Sequence, residues 1–204
     1  MASSLRIVTA PHPSLRRPAK PVERADAKLR RLVDGLADTL ARQRQPRGVG
    51  LAGPQVNQGW RLFATQLPAG TDRELEELEA AAHRTVTTVY LNPRIKAHSS
   101  HLTFGPRPDE PRYEGCLSVP KLYGPVPRWS WIELEYQQLE TDRLVNRSQR
   151  AEDFRARVLQ HELDHLDGVL FTDYSLEHDL PVFQLNPETD QLEELVDRSI
   201  LEVL

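Results

Sequence analysis

His161, Glu162 and His165 stand in the order His-Glu-Leu-Asp-His, and on a helix two histidines four residues apart share one face. Two imidazoles one turn apart can reach a single metal ion, and Glu162 leans toward the same place, where it can take a proton from water. That chemistry is hydrolytic. The bland alternative is a core helix whose histidines are hydrogen-bonded within the protein, since so short a pattern also arises by chance. Phe154, Val158, Leu159, Leu163 and Leu166 recur at three- and four-residue steps, which predicts a largely buried helix from Asp153 to Leu166 that stops at Gly168.

A catalytic metal needs three protein ligands and an open position. In the extended pattern ending Gly-x-x-His the third histidine falls at 171, where this chain has Phe171. Glu177 and His178 follow as alternatives. Upstream, the chain's one cysteine, Cys116, sits in Glu114-Gly-Cys-Leu-Ser118. A lone cysteine is more often a small buried hydrophobe than a ligand, but Gly115 lets the backbone approach closely here. His98 and His101 lie in a serine-containing loop and are expected in solvent. The segment Gly48 to Val56 contains three glycines, permits close approach of backbone to a ligand, and lacks the Lys and Ser/Thr of a phosphate loop.

The rest of the chain must position these groups. With 204 residues and 39% hydrophobic content, one core and a single domain spanning 1–204 are expected. A formal charge of −4 without a long basic block disfavours nucleic acid as substrate. No apolar run reaches a membrane span and the start lacks a secretory core, so no membrane association and a cytoplasmic location are expected. A single cysteine forms no internal disulfide and fits a reducing compartment. Residues 5–22 read as an extended, proline-punctuated arm with His12 exposed. Leu29, Leu32, Val33, Leu36 and Leu40 mark an amphipathic helix within Asp26 to Arg44. Strands are expected at Trp60 to Gln66, Thr85 to Leu91 (ending at Asn92-Pro93), Ser130 to Gln138, Arg143 to Arg150 and Val169 to Phe171. Residues 67–84 read as a surface excursion with an acidic helix over 72–83. In the tail, a capping-box pattern at Asp190 to Glu193 and one face lined by Leu192, Leu195, Val196, Ser199, Ile200 and Val203 predict a C-terminal helix within 186–204. The fold class is α+β: antiparallel sheets around a central metal-binding helix, with an N-terminal and a C-terminal helix.

Taken in order, Gly48-Val-Gly-Leu-Ala-Gly-Pro-Gln55, Glu114-Gly-Cys-Leu-Ser118 and Gln160-His-Glu-Leu-Asp-His-Leu166 resemble the three motifs of the peptide deformylase family, and the similarity extends from about Ile7 to about Tyr174. Gly53 stands where the family usually has a second alanine. The 67–84 excursion and the terminal segment are additions to the smallest members. The resemblance implies that Cys116, His161 and His165 hold one divalent metal ion, iron(II) being favoured with zinc, nickel or cobalt as alternatives. It implies Glu162 as general base and the Gln55 side chain with the Leu117 backbone N–H as oxyanion donors. Val49 and Gly50 are implied to bond the substrate backbone, and Glu114 is grouped with these substrate-binding residues. Glu114 and Arg128 are also candidates for a pair that holds the cysteine segment against the metal helix, and Gln160 for orienting a loop. The implied activity is removal of the formyl group from the N-terminal methionine of new polypeptides. The implied partners are N-formylmethionyl peptides and nascent chains, with the ribosome left open, and the protein is expected as a monomer. A zinc peptidase of the same helix pattern and a silent binding module for nascent chains are the competing readings.

Overall fold

The computed structural model describes residues 4–44, 47–68, 85–106 and 110–204. In chain order its elements are α1 (Ala27–Ala41), β1 (Gly50–Ala52), β2 (Leu62–Pro68), β3 (Thr85–His98), β4 (Leu102–Thr103), β5 (Tyr113–Cys116), β6 (Val119–Pro125), β7 (Arg128–Trp129), β8 (Trp131–Glu140), β9 (Arg143–Glu152), α2 (Asp153–Asp167), α3 (Phe171–Glu177), β10 (Phe183–Leu185) and β11 (Leu192–Glu194). Short 3-10 turns occupy Pro13–Arg16, Gly53–Val56 and Ser199–Val203. The architecture is α+β, as expected.

A five-stranded antiparallel sheet runs β1-β2-β3-β8-β9, and a four-stranded one runs β11-β10-β6-β5. Because strand side chains alternate faces, β2 serves two cores at once. Phe63 joins Tyr90, Ile132 and Leu134 against Leu159, Leu163 and Leu166 of α2. Its neighbours Leu62 and Ala64 turn the other way, onto Leu29, Leu36 and Leu40 of α1. Helix α1 starts where predicted, with the Asp26 carboxylate accepting the Leu29 N–H. A third cluster, with Leu15, Cys116, Val126, Leu170 and Phe171, packs beneath the smaller sheet. Among the described residues, no helix is long and apolar enough to cross a membrane.

The N-terminal arm has a specific task. Val8 N–H donates to the Gln55 carbonyl, Ala10 N–H to that of Ser118 and Ala19 N–H to that of Leu166, each at 2.8 Å. One strap thus ties together all three segments that carry the chemistry. His12, expected exposed, is half-buried and accepts the Ser14 N–H, capping the turn at Pro13–Arg16.

Three other expectations are corrected. Strand β3 does not end at Asn92-Pro93 but continues to His98. Asn92 takes a positive φ of 50° and its side chain pairs with both backbone groups of Val22, while a register shift between Leu91 and Arg94 absorbs the proline that cannot donate. Val169 to Phe171 forms no strand; Leu170 caps α3. The C-terminal helix is absent. Asn186 accepts the N–H groups of Glu188 and Thr189 and Asp190 adopts φ 54°, so the polar residues resembling a capping box build the hairpin turn between β10 and β11 instead. The supposed apolar face is not buried as a unit: Val196 is 95% exposed, while Leu195, Leu201 and Leu204 pack inward. The acidic helix expected over 72–83 lies outside the described residues.

Candidate metal centre

Helix α2 is fixed along its apolar face and at its C-terminal end. Ala156, Leu159, Leu163 and Leu166 bury one side against the large sheet, and Gly168 ends the helix at φ 79°. A Cβ there would also lie 2.8 Å from the backbone of Arg16, so glycine satisfies both the left-handed turn and the passage of the arm. Gln160 fixes the helix laterally: its amide donates to the Trp129 carbonyl at 2.9 Å and accepts the Trp129 N–H at 3.0 Å, clasping β7. The rings of His161 and His165 meet edge-on, centroids 4.9 Å apart.

Cys116 enters from the other sheet. It ends β5, where the pairing with β6 slips between Gly115 and Cys116 and turns the sulfur toward α2. Its Sγ lies 3.2 Å from His165 Nε2, and one donor atom each from Cys116, His161 and His165 lies within 4.8 Å of the others. A tetrahedral ion with bonds of about 2.0–2.3 Å places its ligands roughly 3.5 Å apart, so the cluster fits such an ion. Burial by itself would push the Cys116 thiol up, but the charge of His165 and hydrogen bonds from both imidazoles overcome it and hold the thiol well below its usual range. Thiolate is the ligand form. The alternative third ligands stay away: Glu177 and His178 are exposed at the end of α3, and His101 is exposed while His98 stacks on Trp129.

Glu114 organises the cluster from behind. Only 7% exposed, it receives Arg128 Nε at 2.9 Å and Nη2 at 2.8 Å, Arg157 Nη1 at 2.9 Å and His161 Nδ1 at 2.9 Å. The last bond leaves His161 Nε2 for the metal, since the ring nitrogen that meets a carboxylate is the protonated one. Burial opposes the charge on Glu114, yet Arg128 and His161 hold its carboxyl well below the ordinary range. Glu114, grouped above with the substrate-binding residues, is therefore corrected: both oxygens are taken by Arg128, Arg157 and His161, and its carboxylate orients the cluster. Arg128 reaches on to Asp164 at 2.5 Å and Arg157 to the carbonyls of Val126 and Thr103, so the set forms a buried network rather than a surface pair.

Glu162 is buried and has an oxygen, Oε2, with no hydrogen-bond partner among the described residues. Burial is the main cause that pushes its carboxyl up to about 7, with the nearby imidazoles pulling the other way. Gln55 is oriented by a donor it must face: its Oε1 accepts the Ala52 N–H at 2.7 Å, which turns the NH2 toward Cys116 Sγ at 3.4 Å and Ser118 Oγ at 3.3 Å. Leu117 lines the same cleft, and its backbone N–H donates to no described residue.

Strand β1 is the open edge of its sheet. The Val49 carbonyl accepts from Gln66 N–H at 2.8 Å, which corrects its expected use on a substrate backbone. By ladder alternation the N–H and C=O of Gly50 face outward instead. The cleft before this edge encloses about 720 Å3 and is lined by Val49, Gly50, Leu117, Leu122, Val158 and the cluster itself.

Arg157 and Asp164 were not singled out in the sequence. An arginine on a helix otherwise read as buried demands a buried counter-charge, and this was the available signal.

The model of the polypeptide deformylase family matches residues 4–179. Peptide deformylase 2 of Nostoc sp. is 42% identical over 172 residues, covering 83% of this chain and 84% of the relative. The crystal structure of peptide deformylase from Thermotoga maritima is 30% identical with a TM-score of 0.67, covering 84% of this chain and 97% of that one. A class I type b peptide deformylase of Acinetobacter baumannii with Met-Ala-Ser bound is 28% identical with a TM-score of 0.66, covering 85% of this chain and 99% of that one.

Proposed function

This chain belongs to the peptide deformylase family, and we propose that its turnover rests on Glu162 as general base beside a metal held by Cys116, His161 and His165. The reaction is hydrolysis of the formyl group from the N-terminal methionine of newly synthesised polypeptides. The observation that carries the residue assignment is the unpartnered Oε2 of buried Glu162 beside the three-ligand cluster.

Cys116, His161 and His165 would hold a divalent ion, which would supply Lewis acidity to the reaction. Thiolate with two imidazoles suits iron(II), zinc, nickel or cobalt, and we take iron(II) first among them. Glu162 takes the proton of the attacking water as the C–O bond forms. The Gln55 NH2 and the Leu117 N–H receive the charge that develops on the formyl oxygen. As the C–N bond breaks, Glu162 returns its proton to the departing amine, leaving formate and a free methionine terminus. The edge of Gly50 holds the peptide as an added strand, with Val49, Leu117 and Val158 facing the methionine side chain. The three packed cores act as one catalytic unit. A reduced, ligating Cys116 supports a cytoplasmic location, and we read the protein as a monomer acting on nascent chains.

The test is formate release from formyl-Met-Ala-Ser by anaerobic protein reloaded with iron(II), beside the chelated protein and Glu162→Ala. Release that requires both the ion and Glu162 is expected. Undiminished release from Glu162→Ala would remove the general-base assignment.

A further inference from the structure

The mouth of the cleft carries a concentration of cationic side chains. Arg44, Arg112 and Lys121 line it from three separate segments: the turn after α1, the approach to β5, and β6. Among the described residues, no carboxylate lies within ion-pair distance of any of the three. Two carboxylates line the same cavity. Glu114 is consumed by Arg128, Arg157 and His161, and Glu162 sits at the reacting end. The chain as a whole has a formal charge of −4, so this concentration of cations is local rather than a general basicity.

A peptide laid along the Gly50 edge with its formyl end at the Cys116, His161 and Glu162 cluster must lead its following residues out past this rim, because rim and cluster bound one cavity. We propose that the cleft selects formylated nascent chains with acidic side chains in the residues just after methionine, with Arg44, Arg112 and Lys121 as the specificity-determining groups. The inference rests on the deformylase reading and adds the class of chain preferred. Exposed ion pairs are individually weak, so three together give a preference on the order of ten-fold at low salt, and screening removes most of it.

The experiment compares kcat/KM for formyl-Met-Ala-Glu-Glu and formyl-Met-Ala-Lys-Lys, with formyl-Met-Ala-Ser-Ser as the neutral reference, on metal-loaded protein at low and high NaCl. The acidic peptide is expected to exceed the basic one about ten-fold at low salt and about two-fold at high salt. The combined substitution Arg44→Glu, Arg112→Glu, Lys121→Glu is expected to invert the order. Equal efficiencies at low salt, or a preference indifferent to salt, would overturn the proposal whether or not the variant folds. Calorimetry of Met-Ala-Glu-Glu and Met-Ala-Lys-Lys on zinc-loaded wild-type protein reads the same ratio without turnover. Failure to release formate from all three peptides therefore strikes the deformylase reading alone, and binding decides the charge preference.

Discussion

A Cβ added to Gly50 would lie 2.1 Å from Oε1 of Glu162, so the open edge of β1 and the Glu162 carboxylate occupy adjoining space with no room for a methyl group between them. Gly50→Ala should therefore displace Glu162 while leaving Cys116, His161 and His165 in place. A general base contributes about 100- to 10,000-fold, and kcat should fall by at least about 100-fold with metal content unchanged. Metal analysis beside kinetics decides it; near-normal kcat would show that Glu162 tolerates the shift.

Removing the carboxylate of Glu114 leaves Arg128 and Arg157 buried against each other without their shared counter-charge. Breaking a buried pair of this kind costs about 3–5 kcal/mol, so Glu114→Ala should lower unfolding stability by about that amount in a urea titration. Glu114→Gln should recover part of it. A stability loss below about 1 kcal/mol in the alanine variant would mean that the network is held by its other acceptors, Asp164 for Arg128 and the carbonyls of Val126 and Thr103 for Arg157.

Gln55→Leu keeps volume and removes the NH2 that the Ala52 contact aims at the cluster. Loss of one oxyanion donor typically costs about 100- to 1,000-fold in kcat, with KM nearly unchanged. A rise in KM with kcat preserved would make Gln55 a substrate-binding group.

Tyr174 supplies a pH-dependent stability. Its hydroxyl donates to Asp164 at 3.2 Å and accepts from Arg128 Nη1 at 3.4 Å, and the ring centroids of Tyr174 and His178 are 6.3 Å apart. Burial first, and the charge of Asp164 next, push the phenol up to about 12 against the opposing pull of Arg128, with Glu114 adding to the rise. An ordinary tyrosine ionises near 10, so the neutral phenol contributes stability that is complete below about pH 10 and lost as pH rises through about 12. The stability difference between wild type and Tyr174→Phe should shrink over that window. A difference constant from pH 9 to 12 would show that the phenol ionises as freely in the folded protein as in the unfolded chain.

Spacing made the chemistry legible in the sequence, and pairing partners set the limits. His161, Glu162 and His165 lie within one helical turn, and Gly168 announces where the helix stops. Cys116 was recognisable as a candidate from Gly115 and by resemblance, but only the slipped register of β5 on β6 brings it to His165. The roles of Glu114 and Val49 depend on which neighbours claim their oxygens, a property of tertiary contacts that local pattern does not carry. The tail misled for a related reason. Apolar spacing near 3.6 admits a helix, whereas the open edge of β10 and the turn chemistry of Asn186 and Asp190 favoured a hairpin.

The strap formed by Val8, Ala10 and Ala19 has a consequence for how the enzyme comes together. Its three acceptors, Gln55, Ser118 and Leu166, belong to segments far apart in the chain, and the strap can bridge them only after those segments have docked on one another. Contacts of such long sequence separation carry their loop-closure cost before they return any binding, and they form late in folding. The residues at the beginning of the chain thus act as the closing seam of the catalytic pocket. Slow exchange of the Val8, Ala10 and Ala19 amide protons marks the molecules in which assembly is complete.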